Sequence, residues 1–284
     1  MARGTSIHIG VNRPDSPGEC TLSLSEASAW RMAELAHQAG YGAIHLLRGA
    51  AATRRAVIDL ISAATQALEP GHTLFVSYSG HGSHVPDADG DEGDEPDGWD
   101  ETWCLHDADL VDDELVAIWR KAAAGTRVLL LTESCFGGGM GRNVDDLLTG
   151  CFCTRPGAGR PVVYRSADPA TRGVPQYTPT TSSCISREPS NDYGIRASVL
   201  LMAAAAEERT AQEGVYTRSL LQLWNGGSFG GSFCDLHRAL CERVRAENPA
   251  QEPQIMMLGT PDPEFPLQVA FHLGSPVTRG GWRG

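Results

Sequence analysis

The stretch RVLLLTESCFGGG, Arg127–Gly139, decides how the rest of the chain is read. Its apolar run is short enough for a strand and ends abruptly in Thr132, Glu133 and Ser134. One cysteine, one phenylalanine and three glycines follow. A short strand that is apolar on both faces belongs in a parallel sheet covered by helices on both sides. In open sheets of that kind the working residues sit where the strands end. The stretch therefore places the thiol of Cys135 at a strand mouth, two residues after a carboxylate.

The same alternation extends in both directions. Strands are expected over 5–11 (TSIHIGV), 42–47 (GAIHLL), 73–80 (TLFVSYSG), 127–133, 197–206 and 253–259 (PQIMMLG). Helices are expected over 25–40, 53–68 and 112–124, and again in TRSLLQLW and FCDLHRALCERVRA. The first helix puts Ala29, Met32, Leu35 and Ala36 on one side and stops at Gly40. Thr53 reads as the N-cap of the second and an aspartate as the cap of the third. From Cys151 to Asn191 the chain is rich in Pro, Gly, Ser, Thr and Arg, and reads as a long loop or processing segment. No internal repeat is visible. The βαβα order predicts an α/β fold with a mostly parallel sheet.

Two strand tips carry chemistry. The third strand ends in SYSGHGS, with His81, and the fourth in TESCFGGG, with Cys135. A thiolate is the nucleophilic form of cysteine, and a neighbouring imidazole can take its proton and later return it to a leaving amine. The glycines allow close backbone approach, so the N–H groups at Gly82 and Cys135 are candidate oxyanion donors. Either residue alone reads more simply as an inert core thiol or a loop histidine. Together, on two Gly-flanked tips, they read as a dyad.

Composition narrows the classes. The chain has 284 residues, 41% hydrophobic and 20% charged, and a formal net charge of −12. That balance argues against a nucleic-acid partner and suits a basic substrate or a cation. No apolar run approaches the roughly 18 residues of a membrane span. The start, MARGTSIHIGV, lacks a signal-peptide core, so a cytoplasmic location and no membrane partner are expected. The eight cysteines contain no CxxC pair, so most are expected to be small buried hydrophobes and not zinc ligands or a disulfide framework. His8, His45 and His72 fit strand faces as structural residues, and His84 and His106 have no partners at metal-ligand spacing.

FVSYSGHGS, then DGDEGDEPDGWDETWCLHDADLVDDEL, then LLLTESCFGG resemble, in that order, the caspase-like cysteine peptidases, and more closely their metacaspase and prokaryotic orthocaspase branch. AAAAEERTAQEGVYTRSLLQLW resembles the start of the family's small subunit, and PQIMMLG its closing strand. The resemblance implies a caspase-hemoglobinase fold of three layers, with a mostly parallel central sheet of about six strands flanked by helices. It implies a large-subunit-like part (1–150), a loop or processing segment (151–196) and a small-subunit-like part (197–284), together one peptidase domain. It also implies endopeptidase activity after Arg or Lys, with His81 and Cys135 as the dyad and no cofactor for the chemistry.

The family usually reads Asp-Ser-Cys-His-Ser-Gly at the nucleophile, whereas this chain reads Glu-Ser-Cys-Phe-Gly-Gly. Glu133 thus takes the place of the acid at the base of the pocket for the residue before the scissile bond (S1), and Ser79 matches another lining position. The family's second S1 acid, from the first helix, falls on Ser28, with Glu26 two residues away. The alternative for Glu133 is a carboxylate that caps a helix or loop.

The acidic segment DADGDEGDEPDGWDE, 87–101, nearly spells an EF-hand but has Glu92 where Gly is required and Gly98 where the bidentate Glu belongs. The resemblance instead implies calcium ligands at Asp100, Asp112 and Asp113, with a fourth position falling on Arg142 and Asn143. The simpler alternative is that Asp112 and Asp113 cap the third helix. Arg155, Arg160, Arg165, Arg172 and Arg187 are candidate processing positions, for self-cleavage or for an upstream activating protease. The expected partners are proteins or peptides with a basic residue before the scissile bond. The rival readings are a silent caspase-fold scaffolding protein and another Cys-His hydrolase, such as an amidase.

Overall fold

The computed structural model of the chain describes residues 4–12, 21–86, 99–134, 194–205 and 211–273. In chain order its elements are β1 (Gly4–Gly10), α1 (Ser25–Gln38), β2 (Ala43–Arg48), α2 (Arg54–Gln66), β3 (Thr73–Ser79), β4 (Gly82–Pro86), β5 (Trp99–Cys104), β6 (Asp109–Val111) and α3 (Asp112–Trp119). There follow β7 (Arg127–Glu133), β8 (Ser198–Ala203), α4 (Val215–Trp224), α5 (Phe233–Glu247) and β9 (Gln254–Gly259). The main sheet has the order β2-β1-β3-β7-β8-β9. Its first five strands are parallel, and β9 runs antiparallel to β8.

The period-2 alternation of the strands divides the core into two layers. Ile7, Ile9, Val76, Val128, Leu130 and Leu201 face α2 and α3, which contribute Val57, Ile61, Leu115 and Trp119. Phe75, Leu129, Leu131, Leu200 and Met202 face α1, α4 and α5, which contribute Met32, Leu35, Leu220 and Leu240. The central strands β3 and β8 are buried along their full length. This is the three-layer arrangement and six-strand sheet that the sequence implies.

Four details differ from the sequence expectations. A second, antiparallel sheet, β4-β5-β6, follows His81, although its short polar strands carry little periodic signal. Helix α3 ends at Trp119, five residues early. There Lys121 and Ala122 donate to the carbonyls three residues back, and the chain turns away at Gly125 (φ 78°). The cap of α3 is Glu114, whose carboxylate reaches back to the Val111 N–H; Asp112 is the first helical residue. Cys104 is a free buried thiol as expected, whereas Cys234 is disulfide-bonded. Thr53 does cap α2, its hydroxyl accepting from the Ala56 N–H at 3.3 Å. His8 is a core residue with Nδ1 2.8 Å from the Ser77 hydroxyl, and burial lowers its pKa to about 3. His45 lies exposed on the edge strand β2.

Candidate active site

The tips of β3 and β7 are neighbours, with Ser79 and Glu133 in register. The Gly80 N–H donates to the Glu133 carbonyl at 3.3 Å. His81 lies two residues beyond Ser79, and Cys135 two residues beyond Glu133. The strands that precede the two candidate catalytic residues therefore end at equivalent points, about 4.8 Å apart. Ser134 is buried. Cys135 and its oxyanion role lie outside the described residues, as do Arg142, Asn143, Arg155, Arg160, Arg165, Arg172 and Arg187.

The backbone of His81 is held from below. The Tyr78 hydroxyl donates to the His81 carbonyl at 2.7 Å and lies 3.2 Å from the Cys104 carbonyl. The Cys104 N–H also donates to the His81 carbonyl, at 3.0 Å. Tyr78 stacks on Trp103, with ring centroids 4.6 Å apart. Gly80 is required here because a Cβ would stand 2.4 Å from the Tyr78 hydroxyl. Gly82 opens β4 opposite Trp103. Tyr78→Phe removes the hydroxyl and leaves buried carbonyls less satisfied. The expected loss is about 1–2 kcal/mol of stability, measured by denaturant unfolding. An unchanged midpoint would show that Tyr78 does not hold this corner.

Glu133 is 4% exposed and surrounded by donors. The Thr217 N–H donates to Oε1 at 3.0 Å, the Thr217 hydroxyl to Oε2 at 2.6 Å, and the Ser79 hydroxyl to Oε2 at 3.3 Å. The Ser28 hydroxyl is a fourth partner. Burial raises the Glu133 pKa above the usual carboxylate value, and the bonds from Thr217, Ser28 and Ser79 oppose that rise. Thr217 is the third residue of α4, whose own cap residue is Gly214 and has no side chain to offer. Glu133 thus caps α4 with its charge at the positive end of that helix. Of the pocket residues expected from sequence, the structure brings Glu133, Ser79 and Ser28 together. Glu26 lies apart, its carboxylate oxygen 3.2 Å from where a Cβ on Gly49 would stand.

Two residues of this region escape sequence reasoning. Thr217 is the first, and Glu213 the second. Helix α1 has Leu24 at its cap and no side-chain cap of its own. The Glu213 carboxylate fills that place, accepting from the Ser23 N–H at 2.6 Å, the Leu24 N–H and the Ser23 hydroxyl at 3.2 Å. So α1 is capped from the turn before α4, and α4 from the end of β7. No local signal announces either pairing.

Asp100 and Asp113 cluster around Asp112. Asp112 is buried, and its pKa is raised well above normal, first by burial and then by repulsion from Asp113 and Asp100. Such crowding would be relieved by a cation. Yet among the described residues no group of three or more His, Cys, Asp or Glu side chains is arranged to hold a metal ion. No helix among the described residues is long and apolar enough to cross a membrane.

Comparison with known proteins agrees with this geometry. Residues 41–142 match the family described as metacaspase, peptidase C14 domain. Metacaspase-1 of Schizosaccharomyces pombe is 38% identical over 92 residues, which are 31% of this chain and 21% of that protein. Metacaspase-4 of Arabidopsis thaliana is 35% identical over 88 residues, covering 31% and 20%. The matched stretch thus spans about a fifth of the length of these relatives. A crystal structure of a Geobacter sulfurreducens protein is 31% identical, covers 96% of this chain and 100% of its own, and superposes with a TM-score of 0.69. Caspase-1 of Spodoptera frugiperda, at 12% identity, covers 91% and 89% with a TM-score of 0.54, a likeness of fold. With the caspase fold, the His-Gly and Ser-Cys strand tips and these relatives in agreement, the chain belongs to the caspase-like cysteine peptidases, in their metacaspase branch.

Proposed function

We propose that the protein is a cysteine endopeptidase that cleaves after Arg or Lys through His81 and Cys135. The observation that carries this reading is the register of Ser79 with Glu133. It puts a buried carboxylate, bonded by the Ser79 hydroxyl, at the ends of the two strands that precede His81 and Cys135 in the chain. In the proposed cycle the His81 imidazole takes the Cys135 proton, and the thiolate attacks the scissile carbonyl carbon. The oxyanion is held by the N–H groups of Gly82 and Cys135. Collapse of the tetrahedral species breaks the C–N bond, and His81 protonates the departing amine. Water, deprotonated by His81, then cleaves the thioester and restores the free thiol. Glu133, with Ser79 and Ser28 beside it, receives the cationic side chain.

The large-subunit-like part (1–150) and small-subunit-like part (197–284) would be joined by the segment 151–196, with cleavage at its arginines as the activating event. The test is turnover of short reporter peptides with Arg, Lys or Asp before the scissile bond, with and without Ca²⁺. Cleavage after Arg or Lys alone is expected, and cleavage after Asp would sink the assignment of Glu133. Calcium dependence that disappears in Asp112→Asn would assign a cation to Asp100, Asp112 and Asp113. Independence would leave them as the acidic first turn of α3 and its neighbour.

A further inference from the structure

We propose that Thr217 is the positioning residue of the specificity pocket: it holds both oxygens of Glu133 with a fixed pair of bonds, so that only the Ser28 and Ser79 hydroxyls give way to an incoming cationic side chain. This assignment rests on the reading that Glu133 floors that pocket.

An ionised carboxylate offers about four acceptor positions. In this chain all four are taken by protein donors: two by Thr217, and one each by Ser28 and Ser79. A substrate cation can bond Glu133 only by replacing some of them. The four donors are not equally replaceable. The Thr217 N–H belongs to the first turn of α4 and cannot rotate away. Its hydroxyl makes the shorter bond, 2.6 Å, from a β-branched side chain with restricted χ1. The Ser79 bond is longer, 3.3 Å, and serine hydroxyls turn freely to other acceptors. One exchangeable donor comes from β3 and the other from α1, whereas both fixed donors come from α4. A planar guanidinium fork supplies two parallel N–H groups for two such positions, whereas an ammonium is a single point charge. The geometry therefore favours Arg over Lys. Glu213 supports it by tying the start of α1, and with it Ser28, to the turn that leads into Thr217. Thr217 is also the first of the partners that oppose the burial-driven rise in the Glu133 pKa.

The test uses the full chain as wild type, Thr217→Val, Thr217→Ser and Ser79→Ala, with Arg and Lys reporters, and separates kcat from KM across pH. Thr217→Val, which keeps shape and backbone N–H but loses the hydroxyl, is expected to raise KM for the Arg reporter about 10- to 100-fold, the loss of one hydrogen bond to a charged group. Its kcat should stay within about 3-fold. The acid limb of its kcat/KM profile should move to higher pH, because Glu133 protonates more readily. Thr217→Ser should restore most of the affinity. Ser79→Ala should lower the Arg KM by about 3-fold or more, since the substrate no longer has to displace that donor. Equal loss of kcat for both reporters in Thr217→Val, with KM and the acid limb unmoved, would make Thr217 merely structural and overturn the assignment. So would a tenfold rise in KM for Ser79→Ala, which decides the matter even if Thr217→Val does not fold. Wild-type silence toward both basic reporters would sink the pocket reading, and this assignment with it. Wild-type turnover with either overturning pattern would sink this assignment alone.

Discussion

Cys135→Ala should abolish turnover of Arg and Lys reporters, by roughly 10⁴-fold or more, while leaving thermal stability nearly unchanged. The size follows from the chemistry: without the thiolate there is no acyl-enzyme, and neither His81 nor an oxyanion hole can supply a nucleophile. His81→Ala should cost almost as much, because the thiol then lacks the base that ionises it and the acid that protonates the amine. The double variant should be no worse than either single one, since the two groups act as a unit. Progress curves of the purified full chain check this, with active-site titration by a thiol-directed reagent. Residual turnover within about 100-fold of wild type in Cys135→Ala would remove the thiol from the mechanism and favour a different hydrolase chemistry on the same sheet.

Glu133→Gln should be the second most damaging change, and it acts on both stability and selectivity. Glutamine keeps the shape but replaces one acceptor oxygen with an NH₂ donor. That donor must then face the Thr217 N–H or the hydroxyls of Thr217, Ser28 and Ser79. A buried donor set against donors is expected to cost about 2–4 kcal/mol, read from denaturant unfolding. Selectivity for basic over neutral reporters should fall by at least about 100-fold, because the carboxylate proposed to face the substrate cation is gone.

The pH dependence has two opposite signs. Burial raises the Glu133 pKa above 4.5 in the folded state. Its contribution to stability is therefore full below the unfolded value and is lost as pH rises through the raised folded value. The melting difference between wild type and Glu133→Gln should accordingly shrink from acid to neutral pH. Recognition of a basic side chain needs the ionised form, so the wild-type kcat/KM should fall as pH drops through the same raised value. An acid limb at the ordinary carboxylate pKa, or one that persists in Glu133→Gln, would assign that limb to another group.

The two alternatives posed for Glu133 turn out not to exclude each other. Its contacts are those of a helix cap, four donors with the first turn of α4 among them. Its position, in register with Ser79 at the strand tips, is also the one the proposed specificity pocket needs. From the motif alone the carboxylate can be placed at the end of β7. Its partners cannot, because Thr217 is 84 residues away in the chain. The acidic cluster shows the converse. Asp100 and Asp113, singled out from the sequence, do come close enough to Asp112 to repel it.

Short-range periodicity and local chemistry are legible directly in the chain. The apolar runs of β1, β2, β3, β7, β8 and β9, the helical stripe of α1, the Thr53 cap and the His81 and Cys135 tips are each written within a dozen residues. Each survives in any context that buries the same faces. Tertiary structure alone decided the pairings between distant segments: Glu213 on the start of α1, Glu133 on the start of α4, Tyr78 and Cys104 under His81, and the small β4-β5-β6 sheet. These depend on buried donors and acceptors finding partners once the chain has closed around them. A buried polar group is satisfied by whichever partner the fold brings within reach, and nothing in the residues flanking it says which that will be.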